Sequence, residues 1–409
     1  METAQSYLKV LDLKDLIFVC LSLTVGAGIF VLLNNVSQHS KQLTWLSVFI
    51  AGILSLCTGL SYGELSGIFK TNRAEYAFIE SVGGSNVAQI SSIFLLLADM
   101  LLLATVSIGL AFYLSRITHL NEVMIAIIVL VVANILNFMG IIISKDIIMV
   151  SLLFNLVALI VIITLSFMKY SVKEDFFKFD GVPTSQLFTG TIIAVFAYLG
   201  FNDLVNLNEE SINPGFDIGT AITVTLIIVT ILYTLLAFSG LMTLGHEGLS
   251  QTNTPLASIA QEVMGSYGEY VVIFIGIISI FDTLLGVSVT ESRHIHALME
   301  VFHKDLANVD IHPTTRTPYI SIIIMTICVS LIIIFVKNIE ITAIYGDMIY
   351  MIVFVVVNII VIVLRYSKPD IERPFKVPFN IGNFPVPALI GIIIGSLGIF
   401  QYFNQLVSG

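Results

Sequence analysis

The chain has 409 residues, 57% of them apolar (AVILMFWYC) and only 11% charged, and its mean hydropathy is +0.98. A soluble domain carries about 25% charged residues, so a soluble enzyme of this length is excluded, and disorder with it. The net charge of −10, without a basic patch interleaved with aromatics, excludes a nucleic-acid partner.

A polytopic helical membrane protein remains. A bilayer core takes roughly 20 apolar residues per helix. On that template the sequence predicts eleven spans, at 15–35, 43–66, 86–114, 123–143, 147–168, 188–207, 219–244, 268–290, 318–336, 342–364 and 385–405. The runs are continuously apolar rather than alternating, which argues against transmembrane strands. The first is long, follows Asp12, Lys14 and Asp15, and lacks a small-residue cleavage site, so it does not read as a signal peptide. With the N-terminus inside, twelve Lys and Arg fall in inner loops and six in outer ones, which favours that orientation. Residues 1–14 then form a cytoplasmic tail, and Gly409 lies outside. Cys20, Cys57 and Cys328 lie inside apolar runs with no metal spacing. Pro255–Gly265 has helical apolar spacing behind Thr254, a candidate N-cap, and reads as a short amphipathic helix over the outer face. The longest inner loop is expected at 291–317, with a polar helical stretch from Glu291 to Leu306.

Two spans carry small residues at mid-membrane depth. Span 1 reads Val25-Gly26-Ala27-Gly28-Ile29-Phe30, and span 6 reads Phe196-Ala197-Tyr198-Leu199-Gly200-Phe201-Asn202-Asp203. Glycine costs a helix interior about 1 kcal/mol relative to alanine. Freed backbone groups in lipid need partners, so unwinding is tolerated only beside a cavity or ligand. The two patches lie five spans apart. Five is odd, so the second block of five is inserted upside down relative to the first, as in an inverted repeat with its site where the broken helices meet. Half-helix N-termini there suit a carboxylate, and half-helix C-termini suit an ammonium or cation. An amino acid zwitterion satisfies both. The competing reading is that the glycines serve close helix packing.

These residues resemble a known family. Val25–Phe30 looks like the first-helix motif of the amino acid–polyamine–organocation (APC) permeases. In order, Leu60–Ser66 with Tyr76, Phe196–Phe201 with Asn208–Pro214, Ser292-Arg293 and Lys368–Pro378 resemble further motifs of that family. The resemblance covers nearly the whole chain. It implies an all-α integral membrane protein with a 5+5 inverted-repeat, leucine-transporter-like fold and broken helices 1 and 6. The repeats would be 15–168 and 188–364, followed by a cytoplasmic loop at 365–384 and an extra span in 385–409. It implies secondary transport of amino acids or related amines. By carry-over, Gly26, Ala27, Gly28 and Ile29 surround the substrate carboxylate, and carbonyls of Phe196, Ala197 and Leu199, beside Gly200, take the ammonium. Phe196 would cap the pocket, and Phe196 and Phe201 are the gating candidates, although both fit ordinary packing as well. Two departures stand out. Lys70, Arg73 and Ala74 replace the family's usual Pro and Gly pair before Tyr76, and the family's common twelfth helix is not expected here.

An intramembrane charge costs about 2.5 kcal/mol or more, so each acid there needs a partner or a cavity. Asp99 lies midway along span 3 and reads as structural, gating or coupling. Asn202 and Asp203 follow the span 6 break and would line the inner pathway or cap the second half-helix. Asp347 is expected near water at the outer end of span 10, and Glu64 and Glu291 at solvated inner helix ends. The resemblance places Asn155 where proton-coupled members carry a lysine, and Ser279 at the family's hydroxyl position in span 8. Asp282, three residues on, shares the Ser279 face. Three readings stand for this group. Asn155, Ser279, Asp282 and carbonyls near Val25 hold Na⁺; or Asp282 carries a proton; or Asp282 is structural. No other cofactor is expected.

Secondary transport of neutral L-amino acids, by symport or exchange, is the function expected. Transport of cationic amino acids or polyamines is one alternative. An amino acid receptor incapable of transport is another, which the short tail disfavours. No protease, zinc or nucleophile-elbow motif points to an enzyme. His294 and His296 are two apart and do not share a helix face for a metal. No disulfide-linked partner is indicated. The expected location is the cell membrane.

Overall fold

The computed structural model describes residues 11–71, 74–118, 120–140, 145–302 and 309–408. The tail before Leu11, Arg73, Ser144 and the end of the stretch expected at Glu291–Leu306 lie outside the described residues.

The first crossing is two short helices, α1 (Leu13–Thr24) and α2 (Ala27–Ser40). Asp12 starts α1 with a capping box: its carboxylate accepts the Asp15 N–H at 2.9 Å while the Asp15 carboxylate accepts the Asp12 N–H. Then come α3 (Thr44–Phe69), the short α4 (Ala74–Gly83), α5 (Ser85–Thr118), α6 (Glu122–Phe138) and α7 (Lys145–Lys169). The sixth crossing is again interrupted. It runs through α8 (Thr184–Val195), a 3₁₀ turn at Phe196–Tyr198 and a 3₁₀ stretch at Asp203–Glu210. It is followed by α9 (Asp217–Gln251), α10 (Pro255–Met264), α11 (Ser266–Phe302), α12 (Tyr319–Val336) and α13 (Ile339–Ser367). A two-stranded hairpin, Asn380–Ile381 with Phe384–Pro385, precedes α14 (Val386–Ser408).

The described residues are thus all-α but for that hairpin, and each set of five crossings opens on a broken helix. Among the described residues nine helical stretches are long and apolar enough to cross a bilayer, one of them running over Ala27–Phe69 and one joining α8 to the 3₁₀ segments after it. The difference from eleven crossings has a physical cause. The first crossing is divided into helices of 12 and 14 residues, and α6 has only 17.

Polar caps fix where several helices begin. The Asn121 side chain accepts amide protons from Val123 and Met124 to start α6, and Asn338 does the same from Glu340 and Ile341 to start α13. The buried Asp310 carboxylate accepts the Ile320 and Ser321 amides at 2.8 and 3.0 Å at the start of α12. Thr254 differs from expectation. The short helix after it is present, but the Thr254 side chain makes no capping bond, and Pro255 opens the helix with its fixed φ.

Three further expectations are corrected. α11 runs on to Phe302, so Glu291, His294 and His296 lie inside a spanning helix rather than in a loop. Glu64 is not solvated. It is 1% exposed and held by Arg365, whose Nε lies 2.9 Å from its Oε1, by Arg373 at 3.2 Å, and by the Val377 amide at 2.9 Å. This ion pair ties α3 and α13 to the loop at 368–378. Asp347 is also 1% exposed, well away from water.

Candidate functional site

The two breaks lie against each other at the centre of the bundle. At the first, Val25 (φ −87°, ψ 72°) and Gly26 (φ −131°, ψ −134°) both leave helical geometry. The unwound turn frees a carbonyl at the end of α1 and amides at the start of α2. Tyr233 of α9 donates its hydroxyl to the Thr24 carbonyl at 3.0 Å. Ala27 N–H donates to Thr283 Oγ1 of α11 at 3.2 Å. Sequence reasoning missed both partners; the available signal was Thr283 lying four residues after Ser279, on the same helix face.

At the second break Leu199 is extended (φ −62°, ψ 155°) and Gly200 has φ +110°, a conformation that favours glycine. A Cβ on Gly200 would lie 2.4 Å from the Leu23 carbonyl oxygen, and one on Gly28 would lie 2.4 Å from the Ala197 Cα. The absence of these two side chains is what lets the breaks touch.

A cavity of about 250 Å³ opens from this crossing. That is small beside the roughly 300–1,000 Å³ of pockets for drug-sized ligands, and suits a metabolite. Its walls are Gly26, Ala27 and Gly28 from the first crossing, Phe196, Leu199 and Gly200 from the sixth, Leu102 and Val106 from α5, and Asp282 to Thr290 along α11. Gly286 and Thr290 are exposed, so the cavity opens along the later part of α11, toward the end of the bundle at which α1 begins. The opposite side is shut. There α2 packs on Ala197, and His39 near the end of α2 meets Glu340 at the start of α13, 2.6 Å away.

Of the residues singled out from sequence, Gly26, Ala27, Gly28, Phe196, Leu199 and Gly200 line this cavity. Ile29 and Ala197 line a minor pocket beside it, on the closed side. Phe201 is fully buried and meets Tyr62 and Phe354 ring to ring, at 5.7 and 5.5 Å between centroids. Asp203 lines the cavity and accepts from Asn202 Nδ2 at 3.1 Å.

The proposed oxygen set divides. Asn155 donates to Ser279 at 2.9 Å and keeps a buried, unpartnered Oδ1. Asp282 instead accepts from Ser151 at 2.7 Å and faces the cavity. Asp99 belongs to another group. It accepts the Tyr350 hydroxyl of α13 and lies 3.3 Å from His294 Nδ1. Outside the spans, Glu75 of α4 bonds the Tyr62 hydroxyl and faces His294, and burial pushes its carboxyl up to about 7.

The family model for amino acid permeases matches residues 11–406. The chain belongs to the amino acid permease family. Among curated relatives, the human cystine/glutamate transporter is 27% identical over 375 residues, covering 87% of this permease and 74% of the relative. The branched-chain amino acid permease BcaP of Bacillus subtilis is 24% identical over 93% of this permease and 84% of its own length. The vacuolar cationic amino acid transporter 4 of Arabidopsis thaliana is 23% identical over 88% of this permease and 64% of its own length. This permease is therefore an integral membrane transporter of amino acids rather than an enzyme.

Proposed function

We propose that this permease moves neutral L-amino acids across the cell membrane by alternating access, with its N-terminus in the cytoplasm. One observation carries the reading. Gly26, Ala27 and Gly28 at the start of α2 line the cavity together with Phe196, Leu199 and Gly200 of the sixth crossing, so a zwitterion placed between them meets the α2 amides that Thr283 leaves over at one end and carbonyls of the second break at the other. Around that spot Leu23, Leu102, Val106, Phe196 and Leu285 give an apolar lining for an apolar side chain. The cavity opening on the N-terminal side makes this the inward-facing state.

A second reading has support of its own. Asp203 and Asp282 line the cavity and, among the described residues, no lysine or arginine does, which favours a cationic side chain. Proteoliposomes loaded with unlabelled amino acid and offered labelled leucine or labelled arginine separate the two. Leucine exchange without arginine exchange is expected, and the reverse result replaces neutral with cationic substrates. No exchange of any amino acid in a labelled mixture overturns the transport reading and favours a receptor that binds without moving its ligand. Coupling to a Na⁺ or H⁺ gradient is part of the proposal. If Asn155, Ser279 and Asp282 hold Na⁺, D282N loses any Na⁺ stimulation of uptake; unchanged stimulation removes that site.

A further inference from the structure

A second polar group lies one to two helical turns beyond the cavity, on its open side. Leu102 lines the cavity from α5 and Asp99 is three residues before it; Val287 and Thr290 line it from α11, and Glu291 and His294 follow. Asp99, Glu291 and His294 bring two carboxylate oxygens and a ring nitrogen within 4.8 Å of one another. Glu291 is 1% exposed, and neither of its oxygens has a hydrogen-bond donor. A buried carboxylate left in that state loses its hydration without compensation, at a cost of several kcal/mol.

The surroundings offer no counter-charge of the usual kind. Among the described residues no lysine or arginine forms an ion pair with Asp99 or Glu291. The titratable groups around Glu291 and its neighbours are Asp99 and Tyr350 across the helix interface, Glu75 of α4, Asp203 from the sixth crossing, Tyr62 of α3, and His294 on the same helix. Apart from the imidazole, every one is neutral or acidic. A protonated Glu291 resolves the geometry, because its O–H then donates to Asp99, which already accepts from Tyr350 and faces His294.

We propose that Glu291, with Asp99 and His294, is a proton-binding site at the open end of the pathway, and that its proton travels with the amino acid. This rests on the transport reading above. On release the Glu291 O–H bond breaks, the proton passes to water along the partly exposed edge of His294, and the carboxylate remains. Two facing carboxylates then repel across the contact of α5 with α11, so an empty proton site and a loosened inner contact go together. Proton relays built from Asp, Glu and His are a recognised use of intramembrane charge.

The test has two arms. The first needs no substrate. Infrared spectra of the reconstituted protein at pH about 5 and about 8 are expected to show a protonated-carboxyl band that shifts on deuteration and is missing from E291Q. D99N keeps Glu291 but removes its acceptor, and should move the band, so the result stands even if E291Q fails to fold. A band unchanged in both variants overturns the site. So does a band absent from wild type that emerges after EDTA treatment, since a divalent cation then sits in the proton's place. In the second arm, a gradient of one pH unit, acid on the labelled side, raises leucine accumulation by up to about tenfold at one proton per substrate. E291Q loses that stimulation. Leucine exchange that ignores both the gradient and E291Q overturns the coupling, whereas no exchange of any labelled amino acid at any pH overturns the transport reading and leaves the first arm to judge the site alone.

Discussion

Gly28 and Gly200 are where the two interrupted crossings meet, so each position tests the site with a single methyl group. A Cβ at either lies 2.4 Å from a backbone atom of the other crossing, which cannot move aside as a flexible side chain would. G28A and G200A are each expected to cut leucine counterflow by tenfold or more, with G200A the more damaging because its φ of +110° is strained for alanine as well. Retention of most activity in both would mean that the breaks part during transport without this contact. These glycines were legible in the sequence, since two small-residue patches five spans apart have few explanations in lipid. Thr283 and Tyr233 were not. A lone Thr or Tyr in an apolar run looks like any other, and what gives these two their role is the register of α9 and α11 against the first break, which no local pattern encodes. Glu291 was misread for a related reason. Its distance from the end of the apolar run suggested solvent, but α11 continues to Phe302 and keeps it inside the bundle.

Among the contacts that join one helix to another, the ion pair linking α3 to α13 is the clearest. Glu64 is buried and takes hydrogen bonds from Arg365 and from the Val377 amide. Removing one partner of a buried pair costs up to about 3–5 kcal/mol, and here Arg373 remains within ion-pair distance to offset part of it. R365A should therefore unfold in detergent well below wild type. R373A should cost less, because the Arg373 Nε lies within ion-pair distance of Glu64 but makes no hydrogen bond to it. Equal thermal shifts for the two variants would contradict this ranking. Helix α4 makes a pH prediction. The Glu75 carboxyl, ordinarily near 4.5, stays protonated up to about 7 in the folded protein. Between those values the folded state holds a proton that the unfolded chain has released. Stability should fall as pH rises through that window and level off above it. E75Q should flatten the slope, and an identical slope in wild type and variant would count against it. The helix order and the broken crossings were readable from apolar run length. The reach of α11 and the Glu64 contact were not, because a charge near a helix end looks the same whether water or an arginine receives it.

The molecule as a whole is open on one side and shut on the other, which makes its state measurable. In a background without Cys20, Cys57 and Cys328, a cysteine at Val287 should react with a membrane-impermeant thiol reagent added from the N-terminal side, and one at Val36 should not. Added substrate should slow the reaction at Val287. Reaction from the other side only would reverse the orientation assigned from the Lys and Arg distribution. The hydroxyls of Tyr233 and Thr283 carry a kinetic consequence. They bond the Thr24 carbonyl and the Ala27 amide from the protein's own helices α9 and α11. A carrier whose unwound turns rely on cargo for their hydrogen bonds is trapped when empty, because closing would strand those groups in a dry interior, and it can only swap one passenger for another. Here part of that satisfaction is built into the walls. The barrier for the return trip without cargo is correspondingly lower, and net efflux of leucine into amino-acid-free buffer should run within about an order of magnitude of exchange. In Y233F and T283V the empty return should slow more than exchange does, turning a carrier capable of net flow into one that trades.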